Sequence, residues 1–272
     1  MALPTPKENT TAIVTGASSG IGAEIARELA RRGHGLTLVA RRRDRLQALA
    51  DELALAHSVR VEVVAADLTD ADSRAALPGE LATRGLTADI LVNNAGFTTM
   101  GHVRMADRAA ELGLVRTNVE AVVDLCALFV PGMATRRRGA VMNTASTASF
   151  QPLPGQASYG ASKAFVLSYG RALAAELRGS GVTVTTLCPG PVETGFAEAA
   201  GMTDEEAAES LPKIMWLPAD EVARAGVEGL AAGRTVVIPG TANRVGAGLA
   251  HLAPKSILVP LLAKRHPALK AD

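Results

Sequence analysis

The sequence predicts an α/β fold: one domain with a doubly wound, parallel sheet of seven strands and helices on both faces. Short runs rich in β-branched and aliphatic residues alternate along the chain with longer Ala- and Leu-rich segments that carry charges. No Gly/Ser-rich or Pro-rich tract interrupts this alternation, and the sequence has no internal repeat. A single parallel sheet covered by helices is the simplest structure with this order of elements.

Each strand and helix is placed from its local pattern of apolar residues. The predicted strands are 11–15, 35–40, 59–65, 88–93, 138–145, 182–188 and 234–238. The predicted helices are 20–32, 43–56, 107–134, 157–179 and 218–232. We assign residues 1–10 to an N-terminal extension, 11–240 to the domain and 241–272 to an apolar C-terminal tail.

Composition and charge exclude several classes of protein. Of 272 residues, 48% are hydrophobic and 3% aromatic, so the chain can bury a large core that must be mainly aliphatic. Its 28 Lys and Arg residues balance 27 Asp and Glu residues, and a net charge of +1 gives no field that would gather a polyanion. We therefore expect no nucleic-acid partner.

The cysteine, histidine and hydropathy patterns predict the redox state of the thiols, the absence of a metal and the location of the protein. Cys126 and Cys188 lie among apolar residues, so we expect buried, reduced thiols. The five histidines show no metal-ligand spacing, and no metal is expected. The first ten residues lack a secretory signal, and no run reaches the roughly 18–20 apolar residues of a membrane span. We expect a cytoplasmic location.

The first predicted strand runs into a glycine-rich loop and then directly into an amphipathic helix. The loop contains Gly16, Ser18, Ser19, Gly20, Ile21 and Gly22. Glycines allow a tight turn and a close approach of the backbone to a pyrophosphate, and the open helix N-terminus attracts the anion. The loop therefore indicates a dinucleotide site in a Rossmann fold. The alternative is a simple strand-to-helix turn.

The end of the second strand indicates which dinucleotide binds. An acid commonly occupies this place to bind the ribose 2'-hydroxyl, but Ala40 stands here and Arg41 follows at once. A guanidinium suits a 2'-phosphate, and no carboxylate would repel it. We therefore predict NADP(H), held by Arg41 with help from Arg42. Arg43 is better interpreted as a solvated helix start.

Tyr159 and Lys163 are four residues apart, which places both on one face of a helix. A phenol with a pKa of about 10 is a poor base at neutral pH, and a nearby ammonium lowers that value. The pair is a candidate for acid–base catalysis. A surface Tyr/Lys pair is the alternative.

Taken together, these motifs resemble the short-chain dehydrogenase/reductase family, from Thr11 to about Pro239. The matches keep their order and spacing: the TGxxxGIG loop, an Asp-Leu pair that contacts adenine, an NNAG strand end, a helix asparagine, a serine 13 residues before the tyrosine, and a PGxxxT segment. They fall on Thr15–Gly22, Asp67 and Leu68, Asn93–Gly96, Asn118, Ser146, and Pro189, Gly190 and Thr194.

The resemblance implies an NADP(H)-dependent oxidoreductase that reduces a carbonyl or oxidises a secondary alcohol. Ser146 would bind the substrate oxygen, Tyr159 would exchange its proton, Lys163 would lower the tyrosine pKa and bind the nicotinamide ribose, and Asn118 would hold a water of the proton relay. The residues implied in cofactor binding are Gly16, Ser18, Ser19, Gly20, Ile21, Gly22, Arg41, Arg42, Asp67, Leu68, Asn94, Ala95, Gly96, Tyr159, Lys163, Pro189, Gly190, Val192 and Thr194. Ser19 departs from the family pattern, since NADP-preferring members often carry a basic residue there.

The predicted substrate site is apolar and has a lid over about 191–216. Its candidate wall residues lie in loops that follow strands: Phe97, Phe150, Leu153, Phe196, Met202, Ile214, Met215 and Trp216. The stretch from Trp216 to Pro254 looks like a subgroup of actinobacterial reductases, one of which reduces 3-oxo precursors of mycolic acids. A long-chain 3-oxoacyl or mycolate-type lipid is therefore the leading expectation, and a steroid, retinol or xenobiotic carbonyl is an alternative.

Two other functions would use parts of the same sequence pattern. Gly16–Gly20 also fits the G-x-S-x-G elbow of hydrolases, but only 15 residues precede it, too few for the strands that such an enzyme needs. A catalytically silent NADP(H) sensor would not require the set Asn118, Ser146, Tyr159 and Lys163.

The chain is expected to form an oligomer, and its C-terminal tail has three possible roles. The resemblance implies a homodimer or homotetramer formed through 107–134 and 157–179. The apolar tail residues 243–263 are interrupted by Pro254 and Pro260. This tail is expected to cover the substrate entrance, to pack on a second subunit, or to touch a membrane surface beside Lys264 and Arg265.

Overall fold

The computed structural model describes residues 3–192, 212–265 and 269, and in them a seven-stranded parallel sheet confirms the predicted fold class. The strand order is β3-β2-β1-β4-β5-β6-β7. The strands are β1 (Thr10–Thr15), β2 (Leu36–Ala40), β3 (Val61–Ala65), β4 (Thr87–Asn93), β5 (Gly139–Thr144), β6 (Val182–Leu187) and β7 (Val236–Val237). The last strand is shorter than the predicted 234–238.

Helices connect the strands and continue beyond them. The described helices are α1 (Gly20–Arg31), α2 (Arg43–His57), α3 (Ala71–Thr83), α4 (Arg108–Val115), α5 (Ala121–Thr135), α6 (Ala157–Glu176), α7 (Ala219–Ala231), α8 (Thr241–Leu252) and α9 (Lys255–Arg265). The last two helices form most of the predicted tail.

Alternation along the strands divides the core into two layers, because successive strand residues point to opposite faces of a sheet. Val14 packs with α1, α2 and α7 on one face, whereas its neighbour Ile13 packs with α3, α5 and α6 on the other. Ile90 and Leu91 divide in the same way. Burial on both faces explains why the central strands read as continuous apolar runs.

Two helices differ from the prediction in different ways, since one was missed and one contains an unexpected turn. Helix α3 was not predicted because its apolar residues are poorly segregated and Pro78 interrupts them; its start is marked by Asp70, whose carboxylate accepts from the backbone N–H of Ser73 at 3.0 Å. The helix predicted over 107–134 is confirmed as a continuous helical run of α4, a π-helical turn at Arg116–Glu120 and α5, and only the π-helical turn was not predicted. Such turns are frequent at functional sites.

The sheet reverses its winding between β1 and β4, which lie side by side although five elements separate them in sequence. The carboxyl ends of these two strands open into the crevice where ligands bind in doubly wound folds. The glycine loop follows β1 and Asn94 follows β4, so both motifs meet at this point.

Candidate functional site

The glycine loop is packed so closely that two of its positions admit no side chain. Gly16 has a φ of +65°, and a Cβ there would lie 2.8 Å from the Cα of Ala95. A Cβ on Gly22 would lie 2.4 Å from the carbonyl oxygen of Gly16. Ser19 makes no side-chain cap to α1, and the first turn of that helix has no acid. The first N–H groups of α1 are thus presented to an anion.

Thr15 joins the glycine loop to the end of β4. Its hydroxyl donates to the carbonyl of Val92 at 3.1 Å and accepts from the backbone N–H groups of Asn94 at 2.9 Å and Ala95 at 3.0 Å. The amide of Asn94 donates back to the Thr15 carbonyl at 3.2 Å. These four bonds fix the predicted residues Asn94, Ala95 and Gly96 against the loop.

A basic residue borders the loop, as the second-strand pattern predicts. The guanidinium of Arg42 donates to the hydroxyls of Ser18 and Ser19, each at 3.0 Å. Arg41 is exposed and faces Asp67, whose pKa is lowered chiefly by the backbone N–H of Thr69 and further by the Arg41 charge. The structure therefore places Arg42, rather than Arg41, on the glycine loop.

The Tyr159, Lys163 and Ser146 side chains converge beyond the end of β5. The Lys163 ammonium lies 5.7 Å from the centroid of the Tyr159 ring and donates to the carbonyl of Thr144 at 2.9 Å. Ser146 hydrogen-bonds Tyr159, and its hydroxyl accepts from the backbone N–H of Ala148 at 3.1 Å. A phenol hydrogen-bonded to a hydroxyl, with an ammonium beside its ring, can hold an oxygen atom and exchange its proton.

Burial shifts the pKa of both titratable groups in this cluster. It lowers the pKa of Lys163 to about 8, because a buried ammonium loses its hydration. Burial also raises the pKa of Tyr159, and this outweighs the opposite effect of the hydrogen bond from Ser146. Burial is therefore the larger effect on the pKa of Tyr159 in the protein alone, and the lowering of that pKa by Lys163 stays a prediction.

Asn118 lies in the π-helical turn and is buried. Its amide donates to the carbonyl of Phe97 at 3.0 Å and to the hydroxyl of Ser162 at 3.1 Å, while its oxygen accepts from the backbone N–H of Phe97 at 3.1 Å. Ser162 in turn donates to the carbonyl of Tyr159 at 2.7 Å. Asn118 thus supports both the loop after β4 and the helix that carries Tyr159.

Two residues outside the predicted site fix its far side. The Asn243 amide, at the start of α8, donates to the carbonyls of Met215 at 3.0 Å and Pro239 at 3.1 Å. A Cβ on Gly190 would lie 2.3 Å from the Asn243 side-chain oxygen. Val192 forms a β-bridge with Leu217, so the two ends of the predicted lid meet. The tail and the lid ends therefore form one packed unit.

Apolar residues surround a cavity of about 540 Å³ beside the Ser146 loop. Its wall includes Phe150, Leu153, Ala161, Ala164 and the stem of Lys255. Phe97 instead packs towards Gly113 of α4, since a Cβ on that glycine would lie 3.6 Å from the phenyl ring. The predicted residues Phe150 and Leu153 are thus brought together at this cavity, and Phe97 is not part of its wall.

The comparison with protein families decides which class this arrangement belongs to. A family model described as short chain dehydrogenase matches residues 10–205, which is more than half of the chain. The chain belongs to the short-chain dehydrogenase family. The hydrolase alternative is thereby excluded.

This short-chain dehydrogenase is similar in sequence to oxidoreductases from bacteria and animals. It is 39% identical over 184 residues to an uncharacterized oxidoreductase from Myxococcus xanthus, a match that covers 68% of this chain and 72% of the relative. It is 34% identical to 17-beta-hydroxysteroid dehydrogenase type 3 from Rattus norvegicus, over 67% of this chain and 60% of the relative. The chain thus spans less than two thirds of the rat enzyme.

Solved structures of the family superpose over most of this chain. A short-chain dehydrogenase from Sphingobium yanoikuyae in complex with NADPH has 35% identity and a TM-score of 0.78, covering 91% of this chain and 97% of that one. L-sorbose reductase from Gluconobacter frateurii, complexed with NADPH and L-sorbose, has 28% identity and a TM-score of 0.76, covering 88% and 97%.

Not every predicted residue of this short-chain dehydrogenase can be placed. Thr194, Phe196 and Met202 lie outside the described residues. Cys126 and Cys188 are free and buried as predicted, and burial raises their pKa values to about 11 and about 12. Among residues 3–192, 212–265 and 269, no cluster of three or more His, Cys, Asp or Glu side chains could hold a metal. Within the same part of the chain, no helix has the length and hydrophobicity of a membrane span.

The residues that sequence reasoning missed act through main-chain contacts. Thr144 offers a carbonyl, Ser162 links Asn118 to Tyr159, and Asn243 holds the lid end. Only Thr15 had a signal, because it opens the TGxxxGIG motif. A carbonyl acceptor has no residue preference, so the role of Thr144 leaves no trace in the sequence.

Proposed function

We propose that this short-chain dehydrogenase uses NADP(H) to interconvert a ketone and a secondary alcohol on an apolar substrate. The observation that carries the proposal is the contact of Ser146 with Tyr159 beside the buried Lys163 ammonium. This set holds and protonates an oxygen atom, which is the task that carbonyl reduction requires. A protein that only senses NADP(H) could use Lys163 to bind the cofactor but would not require the three side chains together as a proton-donating set.

The residues at the carboxyl ends of the central strands fit NADP(H). The loop leaves no room for a Cβ at Gly16 or Gly22 and presents the first N–H groups of α1 to a pyrophosphate. Arg42, Ser18 and Ser19 form a polar, cationic corner suited to a 2'-phosphate, with Arg41 near Asp67. The NADPH complexes of the Sphingobium and Gluconobacter enzymes support the choice.

Each part of the cofactor has candidate residues. Asp67 and Leu68 would border adenine, Asn94–Gly96 and Lys163 the nicotinamide ribose, and Pro189, Gly190 and Val192 the nicotinamide. When bound, NADPH supplies the hydride that is added to the carbonyl carbon. The protein supplies orientation and the proton.

Tyr159 is the proposed proton donor in reduction. Because burial raises its pKa, the phenol is fully protonated at neutral pH and ready to donate. Ser146 would hold the same substrate oxygen through its hydroxyl. Lys163, with its charge beside the ring, would stabilise the phenolate that remains after the proton has left.

Asn118 is proposed to support proton resupply through its main chain. Both hydrogens of its amide are already bonded, to Phe97 and Ser162, so this amide has no donor left for a water. A main-chain carbonyl has two lone pairs, so that of Asn118 can accept from a water in addition to a helical N–H. We therefore assign the water of the relay to the main-chain carbonyl of Asn118.

A bulky apolar ketone is the proposed substrate class, with a long-chain 3-oxoacyl or mycolate-type lipid as the leading candidate. The apolar cavity beside Ser146 supports this class. Relatives named for such substrates include a very-long-chain 3-oxoacyl-CoA reductase from Mycosarcoma maydis, 36% identical over 65% of this chain and 51% of that enzyme. Because the chain is similar to the rat 17-beta-hydroxysteroid dehydrogenase, a steroid ketone is the second candidate.

We further propose a homodimer or homotetramer formed through α4, α5 and α6. Leu112 and Val115 of α4 are 40% and 43% exposed, and Phe165 of α6 is 41% exposed. These apolar side chains would be covered by a second copy. The domain is assigned to 11–240 with a lid over about 191–216.

The test is a titration with NADPH and NADH, followed by NADPH-oxidation assays on a panel of ketones. The panel contains short-chain and long-chain 3-oxoacyl esters and steroid ketones. Tighter binding of NADPH and turnover of a bulky apolar ketone would support the proposal. Tight binding without turnover of any ketone would favour the sensor, and failure to bind either dinucleotide would refute the cofactor site.

A further inference from the structure

The two C-terminal helices present their large apolar side chains to solvent. Val245, Leu249 and Leu252 of α8 are 57%, 65% and 81% exposed, and Ile257 of α9 is 69% exposed. We propose that α8 and α9 form a docking surface for an anionic lipid membrane. This proposal is independent of the reaction proposed above.

The orientation of α8 is reversed relative to an ordinary surface helix, which buries its apolar face. At 100° per residue, Val245, Leu249 and Leu252 fall within about 60° of one another on the helix. The opposite side carries Asn243 and Ala247, which are 0% and 3% exposed and pack on the body of the protein. The small residues are therefore used for attachment, and the large apolar residues form an outer stripe.

The outer stripe continues beyond α8. Leu261 of α9 is 44% exposed and lies one helical turn after Ile257. Ile214, which is 78% exposed, lies next to Met215, whose methyl group would be 3.3 Å from a Cβ on Gly246 of α8. Exposed apolar residues thus follow both tail helices and the adjoining lid end, as in a helix that lies in a membrane interface.

Charge favours a lipid surface over a second copy of the chain. From Thr241 to Asp272 the sequence contains one acidic residue, Asp272, and five basic residues, which are Arg244, Lys255, Lys264, Arg265 and Lys270. Two such tails paired about a two-fold axis would bring like charges together. Anionic phospholipid headgroups would instead attract them.

The surface is fixed to the protein beside the candidate site. The Lys255 ammonium donates to the carbonyl of Ala250 at 2.5 Å and approaches that of Phe150 at 3.4 Å. The rings of His251 and Phe150 are in edge contact, with centroids 6.4 Å apart. Asn243 holds the other end of α8. A membrane docked here would therefore face the cavity next to Ser146.

The experiment is flotation of the full-length protein with phosphatidylcholine vesicles, with and without about one third phosphatidylglycerol. We expect binding to the anionic vesicles and at least about tenfold weaker binding to neutral ones, with a loss of binding in high salt. The double variant Leu249→Asp/Leu252→Asp should reduce binding by about tenfold or more. The matched control is Leu55→Asp, an 88% exposed leucine on α2, which should bind as the unmodified protein does.

Three results would overturn the proposal. They are no flotation with anionic vesicles, flotation that survives the double substitution, and flotation that Leu55→Asp abolishes equally. Mass measurement by light scattering distinguishes the competing occupant. If the double variant lowers the oligomer mass and the unmodified protein ignores vesicles, the stripe is an interface between copies. NADPH affinity and thermal unfolding show that each variant is folded.

Discussion

The ammonium of Lys163 donates to the main-chain carbonyl of Thr144 at 2.9 Å, where strand β5 ends. The bond ties the catalytic helix α6 to the sheet and holds the cation beneath the Tyr159 ring. Because the ammonium is buried, this position also lowers its pKa to about 8. The arrangement thus makes the charge of the site depend on pH in an accessible range.

The pH dependence of the reduction rate should follow the ionisation of Lys163. With a pKa of about 8, the side chain is positively charged below pH 8 and neutral above it. We expect kcat/KM for NADPH, which reports on the free enzyme, to be level from pH 7 to about 8 and to fall about tenfold per unit above that. The Lys163→Met variant should be slower and lack this decline. A level profile up to pH 9.5 in the unmodified enzyme would contradict the assignment.

Removing the Tyr159 hydroxyl should separate binding from turnover. In Tyr159→Phe we expect kcat to fall by about 10²- to 10⁴-fold, because the proton donor is lost, with little change in the Kd for NADPH. Steady-state assays and a fluorescence titration measure the two quantities. The control is Tyr169→Phe, whose ring stacks on Phe165 away from Ser146 and should keep normal turnover. Near-normal kcat in Tyr159→Phe would show that another group supplies the proton.

The preference for NADPH over NADH should depend on the cationic corner formed by Arg42, Ser18 and Ser19. Loss of a charged hydrogen bond to the 2'-phosphate in Arg42→Ala should weaken NADPH by about 10- to 100-fold and leave NADH nearly unchanged. Arg41→Ala should act in the same direction. Calorimetric titration of both dinucleotides measures the effect, and Arg43→Ala is the matched control. Equal losses for NADPH and NADH would exclude a contact with the phosphate.

The close packing of the glycine loop predicts a sharp contrast between two glycines. In Gly22→Ala the new methyl group would meet the Gly16 carbonyl, so the loop must shift and NADPH binding should weaken by about tenfold or more. Gly79 of α3 has nothing within 4 Å of its Cβ position, and Gly79→Ala should stabilise the protein by about 0.5–1 kcal/mol. Urea unfolding and NADPH titration test both. Unchanged NADPH binding in Gly22→Ala would show that the loop tolerates the methyl group.

Arg74 should be one of the most sensitive positions away from the cofactor loop. Its side chain is 2% exposed and binds Asp124 at 2.5 Å, Glu120, and the Leu68 carbonyl at 2.8 Å. We expect Arg74→Ala to cost about 2–4 kcal/mol of unfolding free energy, since its partners are only partly buried. Arg60→Ala removes an exposed pair with Glu62 and should cost less than about 1 kcal/mol. Equal midpoints of urea unfolding would refute the difference.

Sequence patterns predicted the sheet because its strands are short apolar runs separated by long helices. They also predicted the motif residues, whose chemistry requires particular side chains: glycine where no Cβ fits, and tyrosine with lysine for proton transfer. They did not predict α3, because Arg74 and Pro78 hide its apolar face. Nor did they predict the π-helical turn around Asn118, since one extra residue in a helix has no composition of its own.

The pKa of Tyr159 shows another limit of sequence reasoning. Spacing placed Lys163 on the same helix face, but the effect of a charge on a phenol depends on how much water each group loses. That loss is a property of the whole packed site. Roles that use main-chain atoms, such as that of Thr144, are hidden from sequence patterns for a similar reason.

The single amide of Asn243 has a consequence for attempts to recombine this enzyme with its relatives. It touches the Pro189–Gly190 turn, the Met215 carbonyl and the Pro239 carbonyl at once, so the tail is no detachable module. A chimaera that joins a foreign tail after Asn243 would keep these native contacts. A chimaera that joins before Pro239 must also take the Pro189–Gly190 turn and the lid end around Met215 from the same relative. Grafting a tail can therefore exchange selectivity only when these segments are transferred with it.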